Sequence, residues 1–103
     1  MEENDFYTFE PDYNELNKLV DYLETNNYFY TVDRLLRGKI VKIYSTEEKK
    51  QDDFLWDAVI HAGSYGSAKG LLEIFGTIVK SSKDLTEGFL TANDIIKRLE
   101  KAK

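Results

Sequence analysis

The chain has 103 residues, enough for one folded unit and too few for two. Its 42% apolar and 14% aromatic content can bury a core, which separates it from disordered sequences, and the lack of cysteine excludes disulfides, thiolate metal sites and cysteine nucleophiles. The formal net charge of -5 is unevenly placed: Glu2, Glu3, Asp5, Glu10, Asp12, Glu15, Asp21 and Glu24 face Lys18 alone in the first 24 residues, so this part repels a phosphate backbone and attracts a basic surface.

Residues 1–10 read as a loose arm of a single domain spanning 1–103, with Phe6, Tyr7 and Phe9 as its anchors. No apolar run approaches the ~20 residues of a membrane span, and Met1 to Asp5 is acidic where a secretory leader is basic. The expectation is a soluble, cytoplasmic protein. Pro11-Asp12 suits a helix start, since proline loses nothing where amides are unpaired and acids complement the helix dipole. Tyr13, Leu16, Leu19, Val20 and Leu23 follow at helical spacing, and Asn26-Asn27 supplies a stop.

From Tyr28 the residue types favour extended structure. Tyr28 to Val32 and Lys39 to Tyr44 predict a β-hairpin, with Arg37-Gly38 between them as the turn able to take positive φ. Tyr28, Tyr30 and Val32 share one face, as do Val41 and Ile43. Ser45 to Asp53 is polar and reads as a connection. Phe54 to His61 is nearly all apolar; as a strand it sets Phe54, Trp56, Ala58 and Ile60 on one side. Gly70 to Val79 also suits a strand better than a helix, because a helix would carry Gly76 in its interior at ~1 kcal/mol relative to alanine. Ser81 to Glu87 reads as a polar link. Thr91 with Asp94 resembles a capping box, and Ile95, Ile96 and Leu99 continue as a helix with cations in its last turns.

The predicted fold is α+β in two layers: an antiparallel four-stranded sheet between an N-terminal and a C-terminal helix in chain order, both helices on one face. The alternative has three strands, with residues 67–80 helical.

Three short stretches carry a resemblance: Gly63-Ser64-Tyr65-Gly66, then Gly70-Leu71-Leu72-Glu73, then Gly88-Phe89-Leu90-Thr91. Over about Trp56 to Leu99 the chain resembles a loose group of small uncharacterised proteins from phages and mobile elements of low-GC Gram-positive bacteria. The resemblance implies a phage-type or accessory origin and brings no activity with it. The acidic first third lies outside it.

The candidate sites weigh unequally. The stretch Gly63, Ser64, Tyr65, Gly66, Lys69 and Gly70 is a ligand-loop hypothesis for a small molecule or nucleotide, because small residues expose amides and Lys69 adds charge. It lacks the Gly-Lys-Ser/Thr ending of a P-loop and the spacing of a dinucleotide fold, so a hairpin loop with positive-φ glycines is favoured. His61 with Asp57 or Ser64 lacks the third orienting group of a triad. Asp52, Asp53 and Asp57 do not match a calcium loop, and no metal or cofactor is expected. Tyrosine is the stronger signal, since it is enriched at interfaces. Glu15, Asp21, Tyr22, Glu24, Tyr28, Tyr30 and Tyr44 are therefore the candidate partner-binding residues. The function read from this is a small non-enzymatic interaction protein, a phage-type modulator of a host protein with a basic surface. The alternatives are the ligand loop and a structural homodimer formed through an open sheet edge or the tyrosine face.

Overall fold

The computed structural model describes residues 11–49, 54–79 and 86–101. The proposed arm at 1–10, with Phe6, Tyr7 and Phe9, lies outside them. Helix α1 (Asn14–Thr25) leads into strands β1 (Phe29–Leu35), β2 (Gly38–Tyr44), β3 (Phe54–Ile60), β4 (Leu72–Gly76) and β5 (Thr86–Leu90), and helix α2 (Ala92–Lys101) follows. The strands form one antiparallel sheet in the order β1-β2-β3-β4-β5, each beside its neighbour in sequence.

Helix α1 begins where the side chain of Asp12 accepts the amide of Asn14 at 2.9 Å, and it closes at Asn26 and Asn27, the latter at φ 60. Leu16, Leu19 and Leu23 form its buried stripe. The reciprocal cap of α2 is as expected: Thr91 N donates to Asp94 Oδ2 at 2.9 Å and Asp94 N to Thr91 Oγ1 at 3.1 Å. Those bonds hold the Asp94 carboxyl below its usual pKa. Both helices cover one face of the sheet, where their leucines and Ile95 meet Val41, Ile43, Trp56, Ala58, Ile60, Leu72 and Ile74 in one core.

Five strands replace the predicted four, and the three-strand alternative is overturned as well. Within 67–80 the only helical segment among the described residues is a single 3-10 turn, Ser67–Lys69, while Leu72–Gly76 pairs with β3. The added strand, β5, overlaps the stretch read as a polar link. Its register with β4 shifts so that Ile74 faces Glu87 and Leu72 faces Leu90, leaving Gly88 and Phe89 opposite Glu73. This bulge puts residues 87 and 90 on the same side of the sheet, which simple alternation forbids. Glu87 thereby reaches Arg98 of α2, whose Nη1 donates to Glu87 Oε1 at 2.8 Å and whose Nη2 pairs with Oε2.

A second bulge lies between Ile43 and Tyr44 of β2 and the facing segment of β3. Trp56 still faces Ile43, but Phe54 pairs with Tyr44. Phe54 therefore leaves the side expected for it and joins the face away from the helices, where Lys42 Nζ sits 5.3 Å from its ring centroid. β3 is the central strand, flanked on both edges, which accounts for its almost continuous apolar run.

The first hairpin turns at Leu36-Arg37, with φ 44 and 62, rather than at Arg37-Gly38. A two-residue loop needs both central residues in the left-handed region, and here two side-chain-bearing residues occupy it. Gly38 is already the first residue of β2, and its role is close approach: a Cβ there would lie 1.9 Å from the carbonyl oxygen of Ile60. Gly76, at φ 113, also sits in close contact, against Leu55 O and Trp56.

Candidate functional site

The first helix ends beside the edge strand β1, and this juxtaposition builds a polar surface of acids and tyrosines. Tyr30 on β1 points to the helix side and donates its hydroxyl to Glu24 Oε2 at 2.8 Å. Tyr22 and Tyr28 lie against each other, ring centroids 6.1 Å apart and tilted by 36°. Asp21 is exposed on the same helix, near enough to act on Tyr30 electrostatically. The Tyr30 phenol is raised above its usual pKa chiefly by the hydrogen bond to Glu24, and Tyr28 is raised chiefly by burial with a contribution from Tyr22. Both remain protonated donors at neutral pH. The patch therefore offers carboxylates and phenols together, on a rim that water reaches.

Asp21, Tyr22, Glu24, Tyr28 and Tyr30 are thus brought together, whereas Glu15 and Tyr44 are placed elsewhere. Glu15 Oε1 accepts the amide of Ala92 at 2.8 Å, while Oε2 pairs with Lys18 at 3.2 Å. Its carboxylate caps the N-terminus of the second helix, where negative charge is favoured. Tyr44 is buried on the opposite face, its hydroxyl 3.4 Å from Thr31 Oγ1. Glu15→Ala is expected to lower stability by about 1–2 kcal/mol, with Glu15→Gln recovering part of the loss because it keeps an acceptor. Urea denaturation of the two variants checks this; equal midpoints for wild type and Glu15→Ala would remove the cap from the account.

The glycine loop is closed on itself. Ser64 N donates to His61 O, Ser67 N to Ser64 O, Lys69 N and Leu71 N to Gly66 O, and Gly70 N to Ser67 O. Gly63 N donates to His61 Nδ1 and Tyr65 N to Glu73 Oε2. Gly66 and Gly70 take φ 96 and 73, as a loop reading requires. These amides are engaged within the chain rather than turned toward a shared anion position. Lys69 is exposed and lines, with Gly70, Asp12, Glu15 and Asp21, a shallow cleft of about 430 Å³ beside the acidic helix. Ser64 Oγ accepts His61 N at 2.9 Å and donates to His61 O at 3.0 Å, so the hydroxyl serves the backbone and not the imidazole. No group of three metal-ligating side chains occurs among the described residues.

Two features escape a reading of the sequence alone. Tyr65 and Phe89 stack with centroids 6.5 Å apart at 18°, 63% and 58% exposed, and Phe89 has φ 60. Asp57 is buried on the face away from the helices, opposite Lys42. Burial pushes its carboxyl up to about 6, with Lys42 opposing and Glu73 adding to the rise. A lone acid within the apolar run Phe54 to Ile60 was its only signal.

No family model, characterised protein or solved structure matches the chain.

Proposed function

We propose that the chain is a small protein-interaction module, a phage-type modulator, that docks a basic protein surface on Asp21, Tyr22, Glu24, Tyr28 and Tyr30. The observation that carries this reading is the Tyr30–Glu24 hydrogen bond at the helix–strand junction, beside the Tyr22–Tyr28 pair. It fixes an acid and an aromatic ring in one orientation on the surface. An incoming arginine or lysine can meet a carboxylate and a ring face at once, and ordering that geometry in advance lowers the entropy cost of binding. The internal engagement of the glycine-loop amides favours this reading over a small-molecule site.

Affinity capture from a Gram-positive lysate at low and moderate salt, followed by mass spectrometry, supplies the partner. The paired reversal Asp21→Lys with Glu24→Lys is then expected to weaken that complex by about 10-fold or more, mainly by slowing association. Unchanged affinity in the reversed variant would remove the acidic patch from the interface.

A further inference from the structure

We propose that β1 pairs antiparallel with β1 of a second copy, about a two-fold axis through Val32, so that two five-stranded sheets become one continuous sheet. The hairpin determines which backbone groups are available for this. Leu35 and Gly38 close a two-residue loop and form a pair hydrogen-bonded to each other, so by alternation Leu35, Asp33, Thr31 and Phe29 bond to β2. The amides and carbonyls of Arg34, Val32 and Tyr30 then point away from the sheet. Among the described residues no strand pairs with that side.

Natural sheet edges are protected by charged side chains, lysine above all, and by proline, bulges or shortness. β1 carries the charges of Asp33 and Arg34 but no lysine, proline or bulge, and it pairs with β2 residue for residue over all seven positions, without a register shift. β5, at the other edge, is shorter and bulged.

The sequence Phe29-Tyr-Thr-Val-Asp-Arg-Leu35 is complementary to itself in one register. With Val32 opposite Val32, Phe29 faces Leu35 and Thr31 faces Asp33 on one side of the sheet, and Tyr30 faces Arg34 on the other. Arg34 is exposed, and this pairing sets its guanidinium against Tyr30 of the second copy, whose hydroxyl already holds Glu24. A cation thus meets a ring and a carboxylate at both ends of the two-fold. A slip of two residues one way opposes Asp33 to Asp33, and the other way opposes Phe29 to Asp33. Either slip loses the match.

The pairing does not depend on the acidic-patch reading, and its test leaves Asp21, Glu24 and the tyrosines intact. Sedimentation of the full chain from low micromolar to near-millimolar concentration is expected to show a reversible shift from 12.0 kDa to twice that mass. Val32→Pro removes an outward amide and no bond to β2, so it is expected to weaken self-association by at least about 10-fold with an unchanged far-ultraviolet spectrum. Because the chain has no cysteine, single Cys variants report position directly. Val32→Cys is expected to link into a covalent dimer under mild oxidation, and Thr31→Cys, which faces Asp33 rather than itself, is expected not to. A constant monomer mass, a Val32→Pro variant that still dimerises, or linkage at Thr31 without linkage at Val32 would each overturn the proposal. None of those results bears on whether charge reversal of Asp21 and Glu24 weakens a captured partner.

Discussion

Gly38→Ala is expected to be the most damaging single methyl that can be added to this chain. The new Cβ would lie 1.9 Å from Ile60 O and 2.5 Å from His61 Cα, and both obstacles are main chain of the central strand and its exit. Side chains can rotate away from an intruding atom; a paired strand cannot. Relief requires β2 and β3 to separate at the end where Lys39 faces Ile60, next to the point where Ala62 N donates to Leu36 O at 3.2 Å. Overpacking of this kind costs about 3 kcal/mol or more, a large share of the ~5–10 kcal/mol by which a domain of this size is stable. The control is Gly63→Ala, whose Cβ would meet only the His61 side chain at 3.5 Å and is expected to change stability by under about 0.5 kcal/mol. Urea midpoints decide between them, and a Gly38→Ala midpoint close to that of Gly63→Ala would show the β2–β3 junction to be looser than described.

The second large effect belongs to Asp57 and depends on pH. Its carboxyl is raised from 3.8 to about 6 in the folded chain, first by burial. Between those values the folded state holds a proton that the unfolded state releases. Stability from this group is therefore full below the unfolded value and falls as pH rises through the folded one, by at most about 3 kcal/mol. Asp57→Asn keeps the shape and removes the titration. Relative to wild type, it is expected to be about 1–3 kcal/mol more stable at pH 7 than the same comparison gives at pH 4. Subtracting the two proteins matters because Asp94, with its lowered pKa, contributes in the opposite sense at acid pH. A difference that stays flat from pH 4 to pH 7 would mean that Asp57 titrates as an exposed carboxylate.

Much of the architecture could be read from residue order because most of the chain obeys its local rules. The leucine stripe of α1, the asparagine stop, the Thr91–Asp94 box and the second hairpin across the glycine loop are all present. Two of the failures share one physical source, the interruption of period two. At Gly88-Phe89 a bulge places Glu87 and Leu90 on the same side, so β5 does not alternate and its first residues, Thr86 and Glu87, read as the end of a polar link. At Leu55 another moves Phe54 across the sheet. Gly38 reads as a turn residue because glycine suggests positive φ, whereas the demand there is for space. Charge counting and tyrosine content name Asp21, Glu24, Tyr22, Tyr28 and Tyr30, which lie together at the helix–strand junction. They could not show that Glu15 faces a helix end or that Tyr44 lies on the other side, because both depend on packing between distant parts of the chain.

That Glu15–Ala92 hydrogen bond spans 77 positions in a molecule whose strands all pair with their sequence neighbours. Each hairpin can close over a short span of chain, but the helical layer brings together the two sequence extremes of the described fold, and so carries the largest loop-closure entropy. During synthesis the meander can zip progressively while α2 is still inside the ribosome, and the buried face stays wet until it emerges. The last ten residues of the described chain thus act as the latch of the whole structure, and their arrival sets the moment at which the core becomes dry.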